Sequence, residues 1–291
     1  MSADRRSHRS YLYVAGSDPH RFEKARHSGA DAIVLDLEDA VAPDAKASAR
    51  EHVARYASAA VADETRVHVR INTIAGEVPH DDLAAAVWPG VEALRVPKAE
   101  HPDDIRRLDD AITAVEEQRG MPPGSVALTL LVESARGALA IADTAAASAR
   151  VSGIAFGSSD FLADIGADGG DATATLHVRS HLVLVARAQG LLAPIDSVTT
   201  AVHDTDAVAR EARSARALGF FGKSLIHPRQ IPAAHDAFSP SPEELAVAQA
   251  IVAAADDALA AGAGATTFQG EFVDPAIVAR HRALLARRST P

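Results

Sequence analysis

The stretch Val126–Asp168, VALTLLVESARGALAIADTAAASARVSGIAFGSSDFLADIGAD, decides the fold. It holds two short apolar runs, Ala127 to Val132 and Gly153 to Phe156. Each runs out at or shortly before a carboxylate, Glu133 in the first case and Asp160 in the second. Parallel strands of one barrel deliver their C-terminal ends to a single rim, so as barrel strands the two runs would bring both acids to the same face. A carboxylate pair so placed is a site for a hard cation with oxygen ligands.

Outward from this stretch, short runs rich in Val, Ile and Leu alternate with Ala-rich, charge-studded segments at helical period. Strands are expected at Tyr11 to Ala15, Ala32 to Asp36, Arg66 to Ile71, Ala93 to Val96, Ala127 to Val132, Gly153 to Phe156, Ala193 to Ile195 and Gly222 to Ile226. Eight is the number that closes a (β/α)8 TIM barrel. The helices between them carry punctuation: Asp18-Pro19 and Pro43 at starts, Gly29, Gly190 and Gly219 at stops. An open doubly wound sheet shares the alternation but calls for a glycine-rich phosphate loop, and neither G-x-G-x-x-G nor G-x-x-x-x-G-K-[ST] occurs. The expected architecture is therefore α/β: a barrel over residues 1–262 and a C-terminal arm over 263–291, introduced by Gly262-Ala263-Gly264.

A length of 291 residues suits one such domain, and 47% apolar composition supplies its core. The net charge of −10 argues against a nucleic-acid partner, because phosphate binding is carried by Lys and Arg. The apolar runs stop short of the ~18 residues a membrane span needs, so no membrane partner is expected and a cytoplasmic location is the simplest reading. With no cysteine in the chain, thiolate chemistry and sulfur-bound zinc are excluded. The thirteen histidines form no ligand pattern along the chain, which disfavours zinc, and no G-x-S-x-G marks a serine nucleophile.

Strand ends are where a barrel keeps its reacting groups. They supply Asp36, Glu38, Asp39, Arg70, Lys98, Glu133, Asp160, Lys223 and His227. Any one of these taken alone reads as an ordinary solvated strand end. As a set they alternate acid and base, and Arg70, inside an apolar run, needs carboxylates or a bound anion to face. Two carboxylates at neighbouring strand ends repel unless a cation or proton lies between them. Mg2+, which takes one or two carboxylates and fills its sphere with water and substrate oxygens, suits Glu133 and Asp160. The Gly157-Ser158-Ser159 loop offers backbone amides for a substrate carboxylate beside it.

YLYVAGSD, GADAIVLDLEDAV, KASAR, VRIN, VPKAE, VESARGAL, FGSSDFLADIG, GKSLIHPRQI and FQGEFVDPAIV resemble, in order and spacing, the citrate lyase beta-subunit-like branch of the HpcH/HpaI aldolase family. The resemblance spans about Arg9 to Leu285. It implies a (β/α)8 barrel, a homotrimer or hexamer, and Mg2+-dependent making or breaking of a carbon–carbon bond between an acyl thioester, on coenzyme A or an acyl-carrier protein, and a 2-oxo acid. It further implies Glu133 and Asp160 as metal ligands and Arg70 as the residue that binds substrate and stabilises the enolate. Asp274, in the arm, is implied as a general base reaching a neighbouring subunit's site. Many relatives carry an acid where this chain has Ser159, so substrate choice is expected to differ there. The rival readings are a malyl- or citramalyl-CoA thioesterase, a free-pyruvate aldolase of the wider superfamily, and an idle scaffold subunit of a lyase complex.

Overall fold

A computed structural model of the chain describes residues 7–60, 65–74, 76–168 and 173–286. The first part of the basic lead-in and the last five residues of the expected arm lie outside the described residues. The chain divides into two compact units, Met1–His235 and Asp236–Pro291.

The first unit is built on a parallel sheet of seven strands: β1 Ser10–Ala15, β2 Ala32–Asp36, β3 Arg66–Arg70, β4 Val91–Val96, β5 Ala127–Val132, β6 Val151–Phe156 and β7 Lys223–Leu225. Their order is β6-β5-β4-β3-β2-β1-β7, so from β1 to β6 successive strands are neighbours, as the βα alternation requires, and β7 pairs with β1 at the other edge. Both sheet faces are covered: Ala32, Ile33, Val34 and Leu35 of β2 are all fully buried, as parallel strands with helical crossovers should be. Tyr11, Ala32, Val34, Leu131, Ala155 and Ile195 pack as one cluster. That contact brings β1 and β2 against β5 and β6 across one face, so the sheet is curled.

Seven of the eight expected strands are present, with ends shifted by up to two residues. The eighth, Ala193 to Ile195, is not a strand. Pro194 has no N–H to give a ladder, and only single bridges form here, Ala155 to Ile195 and Asp196 to Lys223. These bridges link the two edge strands, with Phe156 N donating to Ile195 O at 3.0 Å and Ser224 N to Asp196 O at 2.9 Å.

Helix punctuation follows the sequence in most places. Ser134 caps the helix Ala135–Ala145 through Gly137 N at 3.0 Å, and Gly219 ends Thr205–Leu218 at φ +107°. Asp18 departs from expectation: its carboxylate pairs with Arg21 and accepts no cap hydrogen bond.

The second unit opens with the long helix Pro242–Ala260, started by a capping box between Ser241 and Glu244. A two-stranded antiparallel hairpin, β8 Thr266–Phe268 and β9 Glu271–Val273, leads into the helix Pro275–Ala286. Ile251, Val273 and Val278 form its small core.

Candidate active site

β2 and β3 end together. Asp36 and Arg70, their last residues, are register partners, and adjacent side chains in a parallel pair point the same way. Arg70 donates from Nε to Asp36 Oδ1 at 2.7 Å and from Nη2 to Asp36 Oδ2 at 2.6 Å, a two-pronged pair that fixes the guanidinium plane. Asp36 is held in turn by the Glu38 and Ala40 amides at 3.0 and 3.2 Å. Burial works against the Arg70 charge, and the hydrogen bonds and charge of Asp36 more than offset it, so Arg70 is cationic. Its Nη1 edge turns to Asp39 at 3.3 Å and to Glu38 Oε2 at 2.7 Å. The latter approach is close, yet the N–H is not aimed at it, and Glu38 Oε2 is a buried oxygen without a hydrogen bond.

Lys46 holds the loop after β2. Its ammonium donates to Leu37 O, Glu38 O and Asn72 Oδ1, each at 2.7 Å. Thr73 Oγ1 donates to Glu38 Oε1 at 3.2 Å. Burial raises the Glu38 carboxyl to about 7; Arg70 opposes the shift, while Asp39, Glu133 and Asp36 add to it.

β5 and β6 end together in the same way, with Val132 opposite Phe156, so Glu133 and Gly157 are the next residues out. Glu133 is 5% exposed. Its Oε1 accepts from the Lys98 amide at 2.8 Å. Lys98 sits at φ +45°, a left-handed conformation that costs a non-glycine residue ~1–2 kcal/mol and that recurs at functional sites. The Lys98 side chain is exposed, so here the residue acts through its backbone. A Cβ on Gly157 would stand 2.8 Å from both Glu133 Cβ and Oε2. Any side chain there would press on Glu133, because the strand end passes directly over the carboxylate. The Gly157 N–H is committed to Val132 O at 2.9 Å, which leaves the amides of Ser158 and Ser159 as the donors of this loop.

Asp160 lies in the first turn of the short helix Ser158–Asp164 and is exposed. Burial pushes the Glu133 carboxyl up to about 7; the Lys98 hydrogen bond opposes this, the Asp160 charge adds to it, and Arg70 opposes it again. Glu133, Asp160, Arg70, Glu38 and Asp39 therefore form one electrostatically connected group, and Arg70 is the cation common to its shifts.

That group fits a hard dication. Glu133 has one hydrogen bond for a buried carboxylate, and Glu38 Oε2 has none. Charge repulsion and burial favour protons on both acids, a cost that a bound cation removes. All the donors facing inward are oxygens, the chemistry of magnesium and calcium sites.

The other strand-end residues have structural partners. Lys223 is fully buried against Asp196 Oδ2 at 2.9 Å, Ser197 O at 2.8 Å and Glu211 Oε2 at 3.0 Å. His227 Nδ1 accepts from the Arg229 amide at 3.1 Å and starts a 3-10 turn. In the second unit, Asp274 follows β9, and its Oδ1 accepts from Ile277 N at 2.8 Å, an N-cap for Pro275–Ala286.

Three contributors escaped the reading of the sequence. Lys46 serves through a nine-residue reach to backbone carbonyls, the Lys98 amide through a strained φ, and Tyr13 through its ring, which lies 5.3 Å from the Arg70 guanidinium and 5.5 Å from that of Arg95. Only the VPK spacing, a proline before a turn, hinted at the second.

Fold and site define a metal-assisted α/β enzyme with its acids at the C-terminal ends of parallel strands. The model of the HpcH/HpaI aldolase/citrate lyase family matches residues 9–228, and the chain belongs to that family. It is 34% identical over 280 residues to citrate lyase subunit beta of Haemophilus influenzae, covering 96% of each chain. It is 32% identical over 297 residues to L-malyl-CoA/beta-methylmalyl-CoA lyase of Rhodobacter capsulatus, covering 95% of this chain and 93% of that one. Among solved structures, CitE from Mycobacterium tuberculosis in complex with magnesium, acetoacetate and coenzyme A superposes with a TM-score of 0.79 at 31% identity, covering 98% of this chain and 99% of that chain.

Proposed function

We propose that the protein is a Mg2+-dependent carbon–carbon lyase that cleaves or forms a 3-hydroxyacyl thioester of the citramalyl-, malyl- or citryl-CoA type, giving an acyl thioester and a 2-oxo acid. The observation that carries this reading is Glu133, a buried carboxyl raised to about 7 by burial and by Asp160, beside the fixed guanidinium of Arg70. The similar proteins support the same chemistry: two are lyases by name, and CitE is seen with magnesium and coenzyme A. Glu133 and Asp160 would hold Mg2+, which would supply a Lewis acid and a template for the 2-oxo acid.

Around it, the residues of this chain have separable tasks. Arg70, oriented by Asp36, stabilises negative charge as it develops on the thioester oxygen of the enolate. The Ser158 and Ser159 amides hold the substrate carboxylate. Asp274, contributed by a neighbouring copy, takes a proton from the acyl carbon in condensation and returns it in cleavage. The bridges from Ala155 to Ile195 and from Asp196 to Lys223 support a closed barrel in which Ile195–Asp196 fills the eighth strand position. A homotrimer or hexamer in the cytoplasm is the assembly this mechanism calls for, and Leu139 and Leu184, 87% and 68% exposed, are apolar surface for it to cover.

The test is retro-cleavage of citramalyl-, malyl- and citryl-CoA with Mg2+, with products identified. Release of pyruvate, glyoxylate or oxaloacetate together with acetyl-CoA is expected. Release of the intact hydroxy diacid would make the protein a thioesterase, and full rates in Glu133→Ala and Asp160→Ala would reject the metal ligands.

A further inference from the structure

At the N-terminal ends of the strands, away from the acids described above, a second polar cluster is built into the sheet. β3 and β4 pair from Arg70↔Arg95 to His68↔Ala93 and then jump to Val67↔Val91, so Glu92 is the extra residue of a bulge. A bulge re-aims the side chain it carries. The Glu92 carboxylate consequently meets His8 Nε2 at 3.1 Å and lies 3.9 Å from His68 Nε2, both measured to Oε1. Its Oε2 faces Arg66 Nε at 3.5 Å.

His8 is fixed in place although it precedes β1. Its carbonyl oxygen would stand 2.1 Å from a Cβ on Gly222, so that glycine, at φ +98°, is what admits it. The next residue, Arg9, accepts from Lys223 N at 3.1 Å and pairs with Asp31. The rings of His8 and His68 cross at 84° with centroids 6.2 Å apart.

His68 is the anomaly. It is 3% exposed, and neither of its ring nitrogens has a hydrogen-bond partner. A neutral imidazole carries one N–H and one lone pair, and leaving a buried polar group unmatched is costly. Burial drives the His68 pKa down to about 3, so the ring is neutral, the form that binds metals.

We propose that His8, His68 and Glu92 form a binding site for a first-row transition-metal dication of the zinc type, which ties the segment ahead of β1 to β3 and β4. One donor atom from each residue lies within 4.8 Å of the other two. Tetrahedral ligands at ~2.1 Å from a metal stand about 3.4 Å apart, so side-chain adjustments of about an ångström close the set. Two imidazoles and a carboxylate favour Zn2+, Ni2+ or Co2+ over Mg2+, whereas the all-oxygen group at the other strand ends has the opposite preference. The site lies among residues that hold the sheet together, where a metal contributes stability.

The test uses the full chain with Glu133→Gln and Asp160→Asn, so that the other metal site is disabled. On titration with ZnSO4, one equivalent is expected to bind with micromolar or tighter affinity and to raise the melting temperature. The Co2+ form should show d–d absorption bands, and the ring resonances of two histidines should shift. Adding His8→Ala or Glu92→Gln, at positions only partly buried, should weaken Zn2+ binding at least about tenfold while circular dichroism stays unchanged. Absence of stoichiometric binding, or binding untouched by both substitutions, overturns the proposal.

Discussion

Replacing Glu133 by glutamine should stabilise the metal-free protein at alkaline pH and abolish its response to Mg2+. The carboxyl is raised from 4.5 to about 7 when folded. Between those values the folded chain holds a proton that the unfolded chain has released, so stability falls as pH rises through that window, and the cost is complete above it. At ~1.4 kcal/mol per pH unit the upper bound is about 3.5 kcal/mol, and relaxation around the charge leaves ~1–3 kcal/mol.

The amide introduced by Glu133→Gln keeps an oxygen for the Lys98 N–H and carries no charge. At pH 8 without metal the variant should therefore melt roughly 2–8 °C above wild type, the range expected for a domain of this size. Near pH 4.5 the two should coincide. Saturating Mg2+ closes or reverses the gap: at a hundred times its dissociation constant it adds ~2.7 kcal/mol to wild type and nothing to the variant. Melting curves at pH 4.5, 6 and 8, with and without Mg2+, read this out. A variant that melts at or below wild type at pH 8 without metal would refute the charge-stress account of the site.

Substitutions at four further positions separate roles that overlap at the site. Gly157→Ala places a methyl 2.8 Å from Glu133 Cβ and Oε2 at a φ of −106° that any residue adopts, so calorimetry should show Mg2+ affinity reduced about tenfold or more with the fold intact. Lys98→Gly relieves a φ of +45° and retains the amide donated to Glu133, so kcat should hold and stability should rise by ~1 kcal/mol; a tenfold loss of kcat would give the Lys98 side chain a role of its own. Asp274→Ser keeps an N-cap for the following helix while Asp274→Ala loses ~1 kcal/mol of it, yet both should lose at least about a hundredfold in kcat, and a serine variant with wild-type turnover would end the base assignment. Arg70→Lys breaks the two-pronged pair with an Asp36 that is 1% exposed, and should cost ~2–4 kcal/mol of stability by denaturant titration together with at least about a hundredfold in kcat/KM.

The strands were legible because each apolar run is short and bounded, and because parallel strands buried on both faces carry a dense Val, Ile and Leu signal. Ala193 to Ile195 misled because its composition is that of a strand while Pro194 removes the donor a ladder needs. The pairing of Glu133 with Gly157 and of Asp36 with Arg70 follows from strand ends alone, since register in a parallel sheet carries one residue to its neighbour. What the chain could not announce was anything made by the backbone or by distance. The Lys98 amide matters through a φ angle, and Lys46 through carbonyls eight and nine residues away. His8, His68 and Glu92 share no local spacing, and only a bulge in β4 turns the third toward the other two.

The two proposed metal sites would select different cations by donor chemistry and by where the countercharge lies. At the C-terminal ends, Asp36 fixes Arg70 through both oxygens, and Glu133 is stressed by burial and by the charge of Asp160 more than Arg70 relieves it. A carboxyl raised to about 7, by burial first and by Asp160 after it, binds a dication and a proton competitively, so Mg2+ affinity should fall as pH drops below about 7, with the proton released on binding measurable by calorimetry in buffers of different ionisation enthalpy. At the N-terminal ends the stress is of another kind, an imidazole with no partner rather than a charge with too many neighbours. Ionic strength should discriminate between the ends. Raising salt screens the exposed Asp160 and weakens Mg2+ binding, while binding at the His8–His68–Glu92 cluster, with two imidazoles and a single, less exposed carboxylate, should fall less.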